Sequence, residues 1–334
     1  MISACQQLGD QVIRPLNTTT HPQFAAFPFE GTAVFTSRHH ELEEETEVAT
    51  DRLRQLRDAL ARLAQPEPYL AVLIADGDKM GEAISRLDSP QKHRDFSQGL
   101  AGFADEARRI ANAHNGVLVY AGGDDVLAFV PVDKCLSCAR KLHDKFGELL
   151  ESYKNEEGNP PTLSVRMAIG HFMENLEDLL EYGRAAEKHA KYPRAEDRGQ
   201  KPRNGLAVHL HKRGGAPIKV RAEWTERPDE RITGYAGSIC RDDLPGKFAY
   251  ELRTLADLYG GWRKETEEQR RTIAAAISQD VKRLLSKKQP GSGKAMTLDL
   301  SHVKDSQSLK AFAAELLVAR LIATVLRQSG EASS

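Results

Sequence analysis

The sequence predicts an α+β fold, a ferredoxin-like split β-α-β sheet followed by an α-helical bundle. Three observations carry that expectation. A short unbroken apolar run at 69–75 (YLAVLIA) ends in Asp76-Gly77-Asp78. Two more apolar runs, 117–120 and 126–130, flank Ala121-Gly122-Gly123-Asp124-Asp125. Between and after them, apolar residues recur at helical spacing.

Residues 1–65 read as an irregular lead-in, with several Pro and Thr and an acidic run at 41–47, closed by a helix carrying Leu53, Leu56, Leu60 and Leu63. Pro66-Glu67-Pro68 breaks that helix, and the 69–75 run follows as a strand buried on both faces, its C-terminal end at a site. Phe96, Leu100, Phe103, Ala107 and Ile110 make one stripe of a long helix that Asn115-Gly116 terminates. The runs at 117–120 and 126–130 are then a β-hairpin with its glycines and carboxylates at the turn. A helix over about 133–153 leads through Gly158-Asn159-Pro160-Pro161 to a strand in which Leu163, Val165, Met167 and Ile169 alternate. A helix near 175–191, a basic loop and a last strand at 206–211 complete β-α-β-β-α-β plus one extra strand. Helices are expected on one face of that sheet, and the palm of polymerases and nucleotidyl cyclases is one version of the arrangement. Residues 66–225 are read as this palm. Residues 240–334 are read as a C-terminal helical domain, with one stripe of Phe248, Leu252, Leu255, Tyr259 and Trp262 and another beginning Leu309, Phe312, Leu316 and Leu317.

Composition narrows the function classes. Hydrophobic residues at 40% and charged residues at 28%, with a net charge of -1, fit a water-exposed globular chain. No run of about 18 apolar residues could span a bilayer and no secretory leader is visible, so the expected location is the cytoplasm, with no membrane partner. Four cysteines are too few and too scattered for a disulfide framework. Cys135 and Cys138 form a C-x-x-C without a second ligand pair, so they are read as small helix residues, not a zinc site. Residues 188–213 carry Lys188, Lys191, Arg194, Arg198, Lys201, Arg203, Lys212 and Arg213 against Glu196 and Asp197, a local excess that suits phosphate contact. His171, His209 and His211 have no ligand spacing toward the aspartates and are read as structural.

The aspartate motifs point to two-metal chemistry. Nucleotidyl transfer uses two divalent ions, one activating the attacking hydroxyl and one bridging the triphosphate, and hard ions such as Mg2+ or Mn2+ take carboxylate oxygens beside waters and phosphates. If the first strand pairs beside the hairpin, Asp76 and the Asp124/Asp125 pair meet. Asp76 and one hairpin aspartate are expected to bind metal directly, with the other sharing it; Asp78, two residues from Asp76, is counted with Asp76, Asp124 and Asp125 as a candidate ligand. Gly77, Gly122 and Gly123 are candidate nucleotide-binding positions, because a backbone without Cβ lets a triphosphate or ribose come close. Either motif alone is common turn chemistry; the pair across a long helix is what specifies a site.

The segments EPYLAVLIADGDKMGEAIS, GVLVYAGGDDVLAFVP and RNGLAVHLHKRGG together resemble the large palm-domain subunit of type III CRISPR effector complexes, Cmr branch, over roughly 66–225 and more loosely along the helical tail. The resemblance implies a palm that makes cyclic oligoadenylates from ATP, with Asp76, Asp124 and Asp125 catalytic. It also implies partners: other subunits of such a complex, guide RNA and target RNA. In palm cyclases a lysine of an equivalent Ala-Lys pair meets the triphosphate, and Lys191 matches it better than Lys188. The family's N-terminal histidine-aspartate nuclease motif is not found, since His39-His40 is followed by Glu41, and neither is a first palm. The chain therefore reads as the C-terminal part of a larger protein, a split product or a reduced homologue, in need of a first-palm chain or a second copy of itself. Diguanylate cyclases share the palm, but Asp125-Val126 stands where their hairpin has Glu-Phe and their upstream inhibitory Arg-x-x-Asp is absent. A diguanylate-type palm enzyme and a non-catalytic scaffold subunit are the alternatives.

Overall fold

The computed structural model describes residues 67–155, 158–191, 203–262, 266–287 and 298–329, with scattered positions between 34 and 61. Of the helix ending at Lys191, side chains are described through Ala186. Nearly all of the 1–65 lead-in thus lies outside the described residues. Residues 68–327 belong to one compact unit, so the boundary expected between 225 and 240 falls inside it.

Six strands form one sheet in the order β2-β3-β1-β4-β5-β6. They are β1 (Tyr69–Gly77), β2 (Val117–Gly122), β3 (Asp125–Pro131), β4 (Leu163–His171), β5 (Gly205–Leu210) and β6 (Ile218–Glu223). Helix α1 (Met80–Ser85) and α2 (Pro90–Ala113) follow β1, α3 (Cys135–Leu149) follows β3, and α4 (Leu176–Lys191) joins β4 to β5. The tail is α5 (Pro228–Cys240), α6 (Phe248–Leu258), α7 (Glu267–Ser286) and α8 (Ser306–Ser329). The first four strands and the two intervening helices are the expected split β-α-β; β6 and the short α1 are additional.

Alternation along the strands divides the sheet into two faces. Ala71, Leu73 and Ala75 of β1, Val126, Ala128 and Val130 of β3 and Leu163, Val165, Met167 and Ile169 of β4 share one core with Phe96, Phe103 and Ala107 of α2 and Leu142 and Phe146 of α3. Phe103 and Phe146 meet edge to face at 4.9 Å, the arrangement their ring quadrupoles favour. Helices were expected on this face alone, yet α4 covers the other. Leu179 Cδ2 lies where a Cβ on Gly170 would be, and Ile74 Cδ1 where one on Gly183 would be. The reason is topological: β4 and β5 are parallel, so their connection must cross a face, and the buried Val72, Ala168 and Ala207 need that cover.

The tail does not form a core of its own. Ile232, Tyr235, Phe248, Leu252, Ile277, Leu309, Phe312, Leu316 and Leu317 belong to the same apolar cluster as the sheet. The stripes expected in α6 and α8 are buried, with Leu255 partly so; Trp262 departs from its stripe, 52% exposed beyond the end of α6. Arg140 of α3 clamps α5 to the palm, donating to Asp229 at 2.6 and 3.0 Å and lying 4.4 Å over the Trp224 ring. Cys135 and Cys138 are buried free thiols in α3, each pushed up to about 12 by burial, which keeps them unreactive. His211 stacks flat on Tyr182 at 3.7 Å, a packing role.

One buried carboxylate locks the end of β1 in place. Asp78 is 2% exposed and accepts hydrogen bonds from Thr162 Oγ1 at 2.9 Å, Ser164 Oγ at 2.7 Å and the Asn204 N–H at 2.8 Å. Its own N–H donates to the Thr162 carbonyl. Burial raises the carboxyl above its ordinary range, and these three donors and the Arg203 charge only partly offset that. Asn204, at φ 57, passes the tie on to His143 Nε2 at 2.7 Å. Asp78 was expected among the metal ligands, but its acceptor sites are filled by protein donors, so its place in the fold is that of a latch between β1, β4 and β5. Asp78→Ala should therefore destabilise the chain by about 2 kcal/mol, since the buried Ser164 and the half-buried Thr162 and Asn204 lose their acceptor. Chemical denaturation in metal-free buffer measures this, and an unchanged midpoint would contradict the latch.

Candidate active site

β1 is the central strand that brings the two aspartate motifs together. It runs antiparallel to β3, with Leu70 opposite Pro131 and Ala75 opposite Val126. Asp76 and Asp125 are the next residues along these two strands, so they are neighbours where the end of β1 meets the start of β3. Across the hairpin Gly122 pairs with Asp125, leaving Gly123 and Asp124 as the turn. Gly123 sits at φ 64 with open space where a side chain would be, as a two-residue hairpin turn favours. Asp124 folds back over β1: its Cβ and Oδ2 lie 2.7 Å from where a Cβ on Gly77 would stand.

The charges of Asp76 and Asp124 both act on Asp125. The Asp125 carboxyl is raised above its ordinary range, first by desolvation and then by the negative charges of Asp76 and Asp124, with a side-chain hydrogen bond to Asp76 adding to the shift. The positive charge of Arg166 of β4 opposes it. Such crowding of like charges costs free energy unless a cation enters.

The candidate residues from the sequence fall into three groups. Asp76, Asp124 and Asp125 are brought together. Gly123 is open to a ligand, whereas Gly77 is filled from above by Asp124 and Gly122 abuts Tyr120, whose Oη lies where its Cβ would stand. Asp78 belongs to the latch. Lys191 is the last residue of α4, and its side chain lies outside the described residues, as does most of the basic loop that follows. Because β4 and β5 are parallel and α4 returns between them, that loop leads back to Gly205, two strands from Asp76.

Two residues escaped the sequence reading. Arg166 is 4% exposed in the interior of β4, and the signal was present: in LSVRMAIGH the apolar set occupies the odd positions, so Ser164 and Arg166 share the face that carries Asp76. Arg203 was counted only as part of a basic loop, but it acts on Asp78 and lines an open cleft of about 680 Å³ with Lys79, Arg86 and Lys154. That cleft begins at the Asp78 latch and is bounded by Asn155, Pro160 and Thr162.

The donor set fits a hard divalent cation. Among the described residues no three His, Cys, Asp or Glu side chains are already gathered in a coordinating arrangement. Mg2+ takes one or two protein carboxylates and fills its octahedron with water and substrate phosphate. Asp76, Asp124 and Asp125 are the residues that could hold such an ion.

Comparison with known proteins places this geometry. Residues 69–201 match the family model described as Cas10/Cmr2, second palm domain. The Cmr subunit Cmr2 of the CRISPR system of Pyrococcus furiosus is 32% identical over 173 residues, 43% of this chain and 20% of that relative. In fold, the chain is similar to a subunit of the type III-B Cmr-beta complex in its apo state, with a TM-score of 0.52 and 11% identity over 98% of this chain and 46% of that one. The similarity to Cmr-beta bound to cognate target RNA has a TM-score of 0.57 and 11% identity over 99% of this chain and 46% of that one. The chain thus spans a fifth of the curated relative's length and under half of these structural relatives. Residues 69–201 are thus similar in sequence to the second palm domain of Cas10/Cmr2, and the chain as a whole is similar in fold to the Cmr-beta subunits.

Proposed function

We propose that this chain is a metal-dependent nucleotidyltransferase that joins ATP into cyclic oligoadenylates, working within a type III CRISPR ribonucleoprotein. The observation that carries the reading is the meeting of Asp76 with Asp124 and Asp125 at an open hairpin turn. A pair of Mg2+ or Mn2+ ions held there would activate the attacking hydroxyl and bridge the triphosphate. Asp76 and Asp125 hold the ions from adjacent strands, and Asp124 supplies a further carboxylate from the turn. Gly123 leaves room for nucleotide beside them. Arg203, Lys79, Arg86 and Lys154 bring positive charge to the neighbouring cleft, which Glu82 and Glu223 also line, and Lys191 is kept as a candidate triphosphate contact. Asp78 acts only by fixing the strand that bears Asp76.

One hairpin presents one nucleotide, so joining two needs a second surface to offer the attacking hydroxyl. That surface comes from a first-palm chain or from a second copy, and RNA-guided assembly with other subunits brings it into place.

The direct assay follows the products formed from labelled ATP and GTP with Mg2+, with and without an assembled guide complex and target RNA; adenylate rings support the proposal, and guanylate products would favour the diguanylate-type reading. Asp124→Ala with Asp125→Ala should lower product formation by at least ~100-fold, since charge stabilisation worth several kcal/mol is removed. The same double variant should unfold no more easily than the parent, because its carboxylates repel one another, and undiminished product from the folded variant rules the site out. Asp76→Asn should cost comparable activity; normal Mg2+ dependence in that variant would return the ligand role to Asp78. In dilute solution the isolated chain should bind ATP with almost no turnover, and robust cyclic product from a monomer would contradict the composite site.

A further inference from the structure

Arg166 is out of character for its position. It is a guanidinium on an inner strand, 4% exposed, in a stretch where every other inward group is apolar or small. Taking such a charge out of water is costly, and an apolar residue of equal volume usually fits an interior at least as well. Its register says what it serves. On β4 it stands opposite Ile74, one pair from the Asp76–Ser164 pair and on the same face as both. On the far side of β1, Asp125 begins β3 directly after the Ala75–Val126 pair. A side chain as long as arginine, laid across β1 from Arg166, runs toward Asp125, and its charge does act on that carboxyl, against the effects of Asp76 and Asp124.

We propose that Arg166 is a positioning residue, an internal counter-ion that holds the Asp76, Asp124 and Asp125 cluster together in the metal-free palm and whose charge the incoming divalent ion supplements. It touches neither nucleotide nor the reacting atoms in this role. It keeps three like charges at one hairpin while the site waits for its ions, so that the ions meet a formed set of oxygens instead of a splayed turn. The reading of the carboxylates as a metal site is taken from the proposed function; the pairing of Arg166 with them is not, and the two are tested separately.

The test is a double-mutant cycle on the full chain in metal-free buffer at pH 8, read by chemical denaturation, using Arg166→Met, Asp125→Asn and the pair together. Arg166→Met alone should lower the folding constant strongly. In the Asp125→Asn background the same change should cost at least about tenfold less, a coupling of about 1.4 kcal/mol. A residue that merely packs would give additive effects, and additivity overturns the proposal. Arg166→Lys, which keeps the charge on an unbranched stem, serves if the methionine variant does not fold. It should retain most of the stability and should lose a similar share of its coupling only when Asp125→Asn is added. Mn2+ titration gives a second readout: with the carboxylates no longer held together, Arg166→Met should bind Mn2+ several-fold more weakly, with Arg166→Lys close to the parent. Equal Mn2+ affinity in all three would overturn the counter-ion role even if product formation were normal, while absence of product from the parent in the assembled complex, with the coupling intact, would overturn the enzymatic reading and leave Arg166 in place.

Discussion

The antiparallel pairing of β1 with β3 is the constraint on which the rest of this molecule depends. It sets the C-terminal end of one strand against the start of another, so two motifs 48 residues apart in sequence become adjacent carboxylates. The pairing is enforced by hydrophobic burial: Ala71, Leu73 and Ala75 face the same core as Val126, Ala128 and Val130, and a slip of one residue would turn one strand's three out of it. The price is a knot of negative charge where the end of β1 meets the start of β3. Stability is drawn from an apolar core behind the site, and that core holds in place a cluster that would otherwise separate.

Several features of the fold read as responses to that knot. The Asp78 latch ties the end of β1 to β4 and to the start of β5, so the strand carrying Asp76 cannot fray. Gly77 leaves the space into which Asp124 turns, and Gly123 makes the turn that aims it there. Arg166 brings a positive charge beneath. Two neighbouring aspartates of one short motif thus have opposite fates: Asp76 faces a site that needs charge, and Asp78 is buried among donors that need an acceptor.

Much of this was legible in the sequence. The strand ending at Asp76, the hairpin at 122–125 and the stripe through Phe96, Phe103 and Ala107 follow from periodicity and turn chemistry, because each depends on local pattern. What escaped depends on the third dimension. Asp78 lies two residues from Asp76, so strand alternation alone would keep them on one face; the chain leaves the strand after Gly77, and the partners at Thr162, Ser164 and Asn204 are 84 or more residues away. Arg166 hides in an alternating strand whose apolar half draws attention. Helix α4 was foreseen, but its position on the second face follows from the parallel pairing of β4 with β5, which no local pattern encodes. Trp262 fitted a heptad by spacing and fell outside it because α6 ends at Leu258.

The likeness to Cmr2 and the Cmr-beta subunit is one of sequence over part of the chain and of fold, and the proposed chemistry rests on the carboxylate hairpin. What joins the two is the claim that Asp76, Asp124 and Asp125 form one metal site. Electron paramagnetic resonance of Mn2+ titrated into the full chain with ATP addresses that claim most directly. The account predicts a protein-bound Mn2+ signal that requires the chain, strengthens with ATP, and is lost in the Asp124→Ala, Asp125→Ala double variant while Asp78→Ala retains it. A bound signal unchanged by removal of the hairpin aspartates, or one abolished by Asp78→Ala in a folded chain, would contradict it.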